Sequence, residues 1–154
     1  YKTQLAPTNG AMGYGIPAAV AANLATGRVA FTITGDGDFL MNGQELATAA
    51  QYGGKLIVLL LNNGIYGTIR MHQEKEYPQR ISGTTLINPD FCVFARAFGM
   101  HAEPVKDAAE FGVALRDALA RENGTLIEIK LSPEVISTRA TLNEITQHAL
   151  QHQA

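Results

Sequence analysis

Two oxygen-bearing positions, each at the end of an apolar run, set the chemistry open to this chain. Asp36 sits inside Gly35-Asp36-Gly37-Asp38, after the run Val29 to Thr34, and Asn62-Asn63 closes the run Leu56 to Leu61. A carboxylate and a neutral amide oxygen offer a divalent cation one negative charge and leave the rest to phosphate oxygens and water, an arrangement that suits magnesium. The glycines around Asp36 let a backbone approach a phosphate closely, with the amides of Asp38 and Phe39 available to it. The competing reading makes Asp36 and Asn63 ordinary turn residues after strands.

Positioning the two oxygens requires neighbouring parallel strands, since open α/β sheets bind ligands at the carboxyl edge. The pattern supplies such strands. Ile16 to Ala25 predicts a helix with Pro17 in its first turn and Gly27 as its stop. Val29 to Thr34 predicts a strand buried on both faces, and Gly35 to Asp38 a loop. Asn42 is placed to cap a helix from Gly43 to Tyr52 that Gly53-Gly54 ends. Leu56 to Leu61 predicts a second buried strand, which completes a βαβ unit. The glycine-punctuated, polar stretch from Gly64 to Pro89 reads as a long loop, of the kind that is functional or mobile. A helix from Asp90 to Phe98, a strand from His101 to Val105 and an amphipathic helix from Asp107 to Arg121 follow, the last with Phe111, Leu115 and Leu119 on one face. Thr125 to Leu131 predicts a fourth strand, and Thr141 to Gln153 a polar helix. The expected fold is α/β, a three-layer domain with a mainly parallel sheet flanked by helices.

Composition narrows the classes. At 154 residues the chain has the size of one domain, and residues 1–154 are read as a single one. A net charge of -2 and scattered Lys and Arg give no footprint for a nucleic-acid backbone. The apolar runs fall short of the roughly 20 residues a membrane helix needs, so neither nucleic acid nor membrane is expected as a partner. The lone Cys92, within Phe91-Cys92-Val93-Phe94, reads as a buried thiol in a reducing, cytoplasmic compartment. The opening YKTQLAPTNG has no signal pattern, and the chain is expected to be a fragment of a longer multidomain protein.

Other matches are weaker. Gly13-Tyr14-Gly15-Ile16-Pro17-Ala18 fits the G-x-G-x-x-A dinucleotide fingerprint, but the segment before it is too polar and turn-rich for the strand that fingerprint requires. Asp36 and Asp38 resemble the start of a calcium loop, but Leu40 at its fifth position cannot ligate. His72 has an unperturbed pKa suited to proton shuttling, against the plainer reading of a solvated loop histidine. His101, His148 and His152 read as surface or tail residues.

Gly35-Asp36-Gly37 with Asn62-Asn63, where Asn63 follows Asp36 by 27 positions, resembles the thiamine diphosphate (ThDP) motif of the 2-oxo acid decarboxylase and acetolactate synthase superfamily. Gly10-Ala11-Met12-Gly13-Tyr14-Gly15-Ile16-Pro17-Ala18-Ala19 resembles the family's upstream block. Asn88-Pro89-Asp90-Phe91, followed by Ala95 to Gly99, resembles its downstream block. The likeness runs from about Asn9 to Leu131 and belongs to the C-terminal, diphosphate-binding domain.

The resemblance implies a set of roles. Asp36, Asn63 and the carbonyl of Ile65 would ligate Mg2+. Gly35, Gly37, Asp38 and Phe39 would line the diphosphate, Asp38 through its amide rather than its carboxylate. Met12 would wedge the cofactor into its bent shape, and the carbonyl of Gly10 would accept a hydrogen bond from the aminopyrimidine. Tyr66 and Gly67 would follow on the substrate side. There the chain carries Thr68 and His72 where biosynthetic acetolactate synthases resemble one another in a methionine and a tryptophan. Tyr66-Gly67 followed by Ile69-Arg70 is closer to benzoylformate decarboxylase-like members.

By the same resemblance the substrate is a 2-oxo acid, decarboxylated or joined to a second carbonyl compound. The glutamate that activates the aminopyrimidine belongs to a separate pyrimidine-binding domain, usually across the interface of a homodimer or homotetramer. No glutamate here matches it, Glu45 included, so this domain carries no catalytic residue of its own and is expected to be inactive alone. Acetolactate synthases hold a flavin on a central domain, which leaves room for FAD outside these residues. A split-subunit decarboxylase, a non-catalytic homologue and an NAD-binding domain are the alternatives.

Overall fold

A computed structural model describes residues 3–152. Tyr1, Lys2, Ala154 and Gln153, the expected end of the tail helix, lie outside the described residues. The chain divides into two compact units. The first takes the chain up to Asn62 together with Pro89–Lys130, and the second takes Asn63–Asn88 together with the chain from Leu131 onward.

The first unit is built on four strands, β1 (Ala30–Gly35), β2 (Leu56–Asn62), β3 (His101–Val105) and β4 (Thr125–Lys130), in the order β1-β2-β4-β3 and all parallel. Parallel pairing requires crossovers, and helices supply them. On one face lie α1 (Gly15–Thr26), α2 (Asp36–Asn42), α3 (Leu46–Gln51) and α5 (Phe91–Ala97), which bury Ile16, Val20, Phe39, Leu46 and Phe91 against Leu56, Val58, Leu60 and Leu126. On the other lies α6 (Ala108–Ala120), whose Ala114 and Ala118 close over Ile57, Val105 and Ile127. This unit is therefore the three-layer α/β arrangement that the apolar periodicity predicts.

Several elements differ from expectation. β1 is an edge strand, and only one of its faces is covered: Ala30, Thr32 and Thr34 are buried, while Phe31 and Ile33 are 51% and 68% exposed. Gly35 to Asp38 is not a loop, because α2 starts at Asp36 directly from the strand. Asn42 does not cap a helix. It is the last residue of α2, its side chain donates to the carbonyl of Gly13 at 3.0 Å, and a 3-10 turn at Gly43–Glu45 leads into α3. On α6 the buried centre is Ala114 and Ala118, with Phe111 and Leu115 half-buried beside them and Leu119 49% exposed, so the stripe of Phe111, Leu115 and Leu119 is offset from the true face. His101 is on β3, half-buried, with Nε2 3.1 Å from Glu103 Oε1.

The second unit pairs α4 (Gly67–Glu76) with α7 (Leu142–His152). The expected long loop after Asn63 thus contains a ten-residue helix. Thr141 and Glu144 form a capping box at the start of α7: the Thr141 amide and hydroxyl donate to Glu144 Oε2 at 2.7 and 2.9 Å, and the Glu144 amide donates back to Thr141 Oγ1 at 3.2 Å.

Candidate functional site

At the carboxyl end of β1, the Asp36 side chain is 2% exposed and its Oδ1 accepts the amide hydrogen of Gly37 at 3.0 Å. Aspartate is seldom this deeply buried, so its position at a strand end and helix start marks this edge of the sheet chemically. Asp38, one turn into α2, points its carboxylate elsewhere. Oδ1 accepts from the Gly13 amide at 2.5 Å and Oδ2 accepts from the Thr34 hydroxyl. With Asn42 holding the Gly13 carbonyl, positions i and i+4 of α2 grip both polar groups of a single peptide segment. Gly13 fits this grip because it adopts φ +87° and because a Cβ there would sit 2.7 Å from Asn42 Nδ2 and 2.8 Å from Met41 Cβ.

The segment held in this way carries Gly10 and Met12, both exposed, Met12 at 44%. Ordinary core packing of Met12 is therefore ruled out. Phe39 contributes its ring to the core, edge-on to Phe91 and Phe94 with centroids 5.5 and 5.6 Å away, so only its main chain is left for a ligand. Glu45 turns to Thr48, which donates to its Oε2 at 2.7 Å. Residues 3 to 14 hold no strand ahead of the Gly13-Tyr14-Gly15 turn, so the dinucleotide fingerprint lacks its first structural requirement.

At the end of β2, Asn62 is buried and donates through Nδ2 to Glu128 Oε1 at 2.6 Å. Glu128, 5% exposed on β4, also accepts from Lys130 Nζ at 2.5 Å, and the Cys92 thiol lies 3.9 Å from its other oxygen. Burial, with the Glu128 charge adding to it, pushes the Cys92 thiol up from 9.0 to about 11. The β1–β2 register pairs Gly35 with Leu61, so Asp36 and Asn62 are the next residues beyond the paired ends, and Asn63 follows by one peptide bond.

In the second unit, Asn63 Oδ1 accepts the Ile65 amide at 3.1 Å. Ile65 bridges Thr85 in antiparallel fashion, flanked by Tyr66 N–H to Thr84 O and Leu86 N–H to Gly64 O, each 2.9 Å. A Cβ on Gly67 would stand 3.2 Å from Asn63 Nδ2, which accounts for glycine there. His72 is exposed on α4, not on a loop. Sequence reasoning missed the buried pair Arg70 and Glu74 on that helix, 7% and 4% exposed. A signal was present: charges four apart on a helix can pair, although the pattern usually marks a solvated face.

The first unit offers the Asp36 carboxylate at the end of β1, and the second offers the Asn63 amide oxygen and the main-chain carbonyl of Ile65. Among the described residues no group of three or more His, Cys, Asp and Glu could hold a metal ion.

Against known proteins, residues 2–129 match the family model for the thiamine pyrophosphate enzyme C-terminal TPP binding domain. The chain is 37% identical over 126 residues to the acetolactate synthase of Arthrospira platensis, covering 80% of this chain and 22% of that one. It is 37% identical over 124 residues to the acetolactate synthase isozyme 2 large subunit of Escherichia coli (strain K12), covering 79% and 23%. Among solved structures, it matches the Rhodococcus jostii RHA1 thiamine diphosphate-dependent 4-hydroxybenzoylformate decarboxylase with a TM-score of 0.73 and 34% identity, over 79% of this chain and 23% of that one. The chain thus spans about a fifth of the length of the curated relatives it matches.

Proposed function

This chain belongs to the thiamine pyrophosphate enzymes, as a C-terminal TPP-binding domain, and from that premise we propose that it forms the diphosphate half of a magnesium-dependent ThDP site in an enzyme acting on a 2-oxo acid. The observation that carries the proposal is the Asp36 carboxylate, 2% exposed, one residue beyond the end of β1 and beside the strand end from which Asn63 follows. Asp36, Asn63 and the Ile65 carbonyl hold the ion, which neutralises the diphosphate. The amides of Asp38 and Phe39 and the small residues Gly35 and Gly37 line the phosphates. Because the Asp38 carboxylate is engaged by Gly13 and Thr34, it sets the Gly13 segment in place rather than opposing an anion. That segment brings the exposed Met12 side chain to brace the cofactor and the Gly10 carbonyl to accept from its aminopyrimidine. Tyr66 and Gly67 follow on the substrate side.

When bound, ThDP supplies the electron sink for loss of carbon dioxide from a 2-oxo acid, and the chain's part is position and electrostatics. The glutamate for aminopyrimidine activation comes from a pyrimidine-binding domain of the same or a partner chain, in a cytoplasmic homodimer or homotetramer, and the present chain alone does not turn over. Acetolactate synthase-like carboligation is favoured by the identity to acetolactate synthases. Decarboxylation of an aromatic 2-oxo acid is the second reading, favoured by Tyr66-Gly67 before Ile69-Arg70 and by the likeness to a hydroxybenzoylformate decarboxylase. Titration of ThDP with and without Mg2+ tests the ion site. The expected outcome is Mg2+-dependent binding that Asp36→Ala abolishes, and equal binding by parent and variant overturns it.

A further inference from the structure

We propose that the C-terminal helix α7 is a positioning element for the Asn63-to-Ile65 arm, acting through Thr146, Glu74 and Arg70; the inference rests on the reading of Ile65 as an ion ligand. α7 begins at Leu142, beyond residue 129 where the family match ends. The Thr146 hydroxyl, 9% exposed, lies 2.9 Å from Glu74 Oε2 and 3.0 Å from the Leu142 carbonyl, and its one hydrogen goes to the carboxylate as the stronger acceptor, while Glu74 Oε2 also accepts the Gln79 amide at 2.9 Å. Glu74 Oε1 stands 3.8 Å from Arg70 Nη1 one turn earlier on α4. The Arg70 guanidinium then forks: Nε donates to Thr84 Oγ1 at 2.8 Å and Nη2 to Thr85 Oγ1 at 3.2 Å.

Those two threonines lie across from Ile65 and Tyr66. Thr85 bridges Ile65, Thr84 O accepts the Tyr66 amide, and the Arg70 amide donates to Tyr66 O at 2.8 Å. Arg70 therefore holds the arm from both sides, by its side chain through Thr84 and Thr85 and by its main chain through Tyr66. Four of the linked side chains, Arg70, Glu74, Thr84 and Thr146, are at least nine-tenths buried. Burying charge is unfavourable without partners, and apolar residues of similar volume would join α4 to α7 at least as firmly. What the polar chain adds is direction. The planar fork of arginine fixes the angle of the residues it holds, which neither an aliphatic contact nor a lysine reproduces.

The test is the Mg2+ concentration that half-saturates ThDP binding, measured on the complete protein that carries this chain, at a temperature well below the unfolding of every variant. Thr146→Val removes the hydroxyl at constant shape and is expected to raise that concentration about threefold, the scale of one lost hydrogen bond. Arg70→Lys keeps the charge beside Glu74 but loses the fork, and is expected to raise it about tenfold, the lower end of outer-shell effects on metal affinity. Thr146→Ser, which keeps the hydroxyl, is expected to match the parent. If Thr146→Val and Arg70→Lys lower the unfolding temperature but leave Mg2+ half-saturation at the parental value, while Asp36→Ala abolishes binding, the positioning role is overturned and the ion site stands. Equal loss in Thr146→Ser and Thr146→Val also overturns it. Parental binding by Asp36→Ala overturns the ion site itself.

Discussion

The two compact units are held together by opposite means. In the first, Leu56, Val58, Leu60, Leu126, Phe39 and Phe91 make a continuous apolar layer, and buried Asp36, Asn62 and Glu128 lie toward the carboxyl end of the sheet. In the second, the buried side chains of α4 are an arginine and a glutamate, joined to threonines at 84 and 146. Apolar burial is non-directional and scales with area. A buried ionic network is weak as a source of stability but strict about geometry. The first unit is thus organised around an apolar scaffold, whereas the second is organised around orientation.

The comparison can be broken most decisively by truncating each kind of core. Phe39→Ala is expected to cost about 3–5 kcal/mol, and no compensating change nearby should restore it. Glu74→Leu, which leaves Arg70 buried without its carboxylate, is expected to cost a similar ~3–5 kcal/mol. Adding Arg70→Met to it should recover most of that loss, because removal of the whole pair leaves no buried charge. Urea unfolding of the three variants measures this, and failure of the double variant to recover would show that the second unit depends on the pair for stability rather than for orientation.

A smaller effect concerns Cys92 in the core of the first unit. With its thiol pushed up to about 11, the native protein should resist iodoacetamide at pH 8 and react at the rate of a free thiol only once unfolded. The sign follows from the raised pKa. The folded state keeps the proton, so this stabilising contribution is complete below the unfolded value near 9.0 and is lost as pH rises towards about 11. The smallest effect belongs to the second unit. Hydrogen bonds from the Thr141 amide and hydroxyl hold Glu144 below the usual carboxylate range. The capping box is therefore complete above pH 4.5 and is lost as acid titrates Glu144, which amide exchange over the first turn of α7 should detect as fraying while the β2 amides stay protected.

How much was legible follows the same division. The run LIVLLL announces β2 because a strand covered on both faces is apolar throughout. β1 reads alike in sequence, yet Phe31 and Ile33 are exposed, since an apolar run cannot say whether its strand is central or at an edge. Gly35-Asp36-Gly37-Asp38 suggests a loop by composition, but the helix begins at Asp36, with Asp38 and Asn42 tied to Gly13 over long sequence separations that no local propensity contains. In α4 the usual signal is inverted. Ile69 is 49% exposed and Arg70 and Glu74 are buried, so apolar periodicity points to the wrong face and the segment reads as a polar loop. The strand ends at Asp36 and Asn62-Asn63 were legible because apolar runs that close on polar residues mark them without tertiary detail. The supports behind them were not.

In the proposed site, Asp36 and Asn63 serve one ion together with the diphosphate of ThDP. Mn2+ in place of Mg2+ tests it most directly, through its paramagnetic resonance in the complete protein with ThDP present. The account predicts one bound Mn2+ per chain that requires ThDP, and its loss in both Asp36→Ala and Asn63→Ala while the fold, followed by circular dichroism, is retained. Parental Mn2+ binding in either folded variant would contradict it.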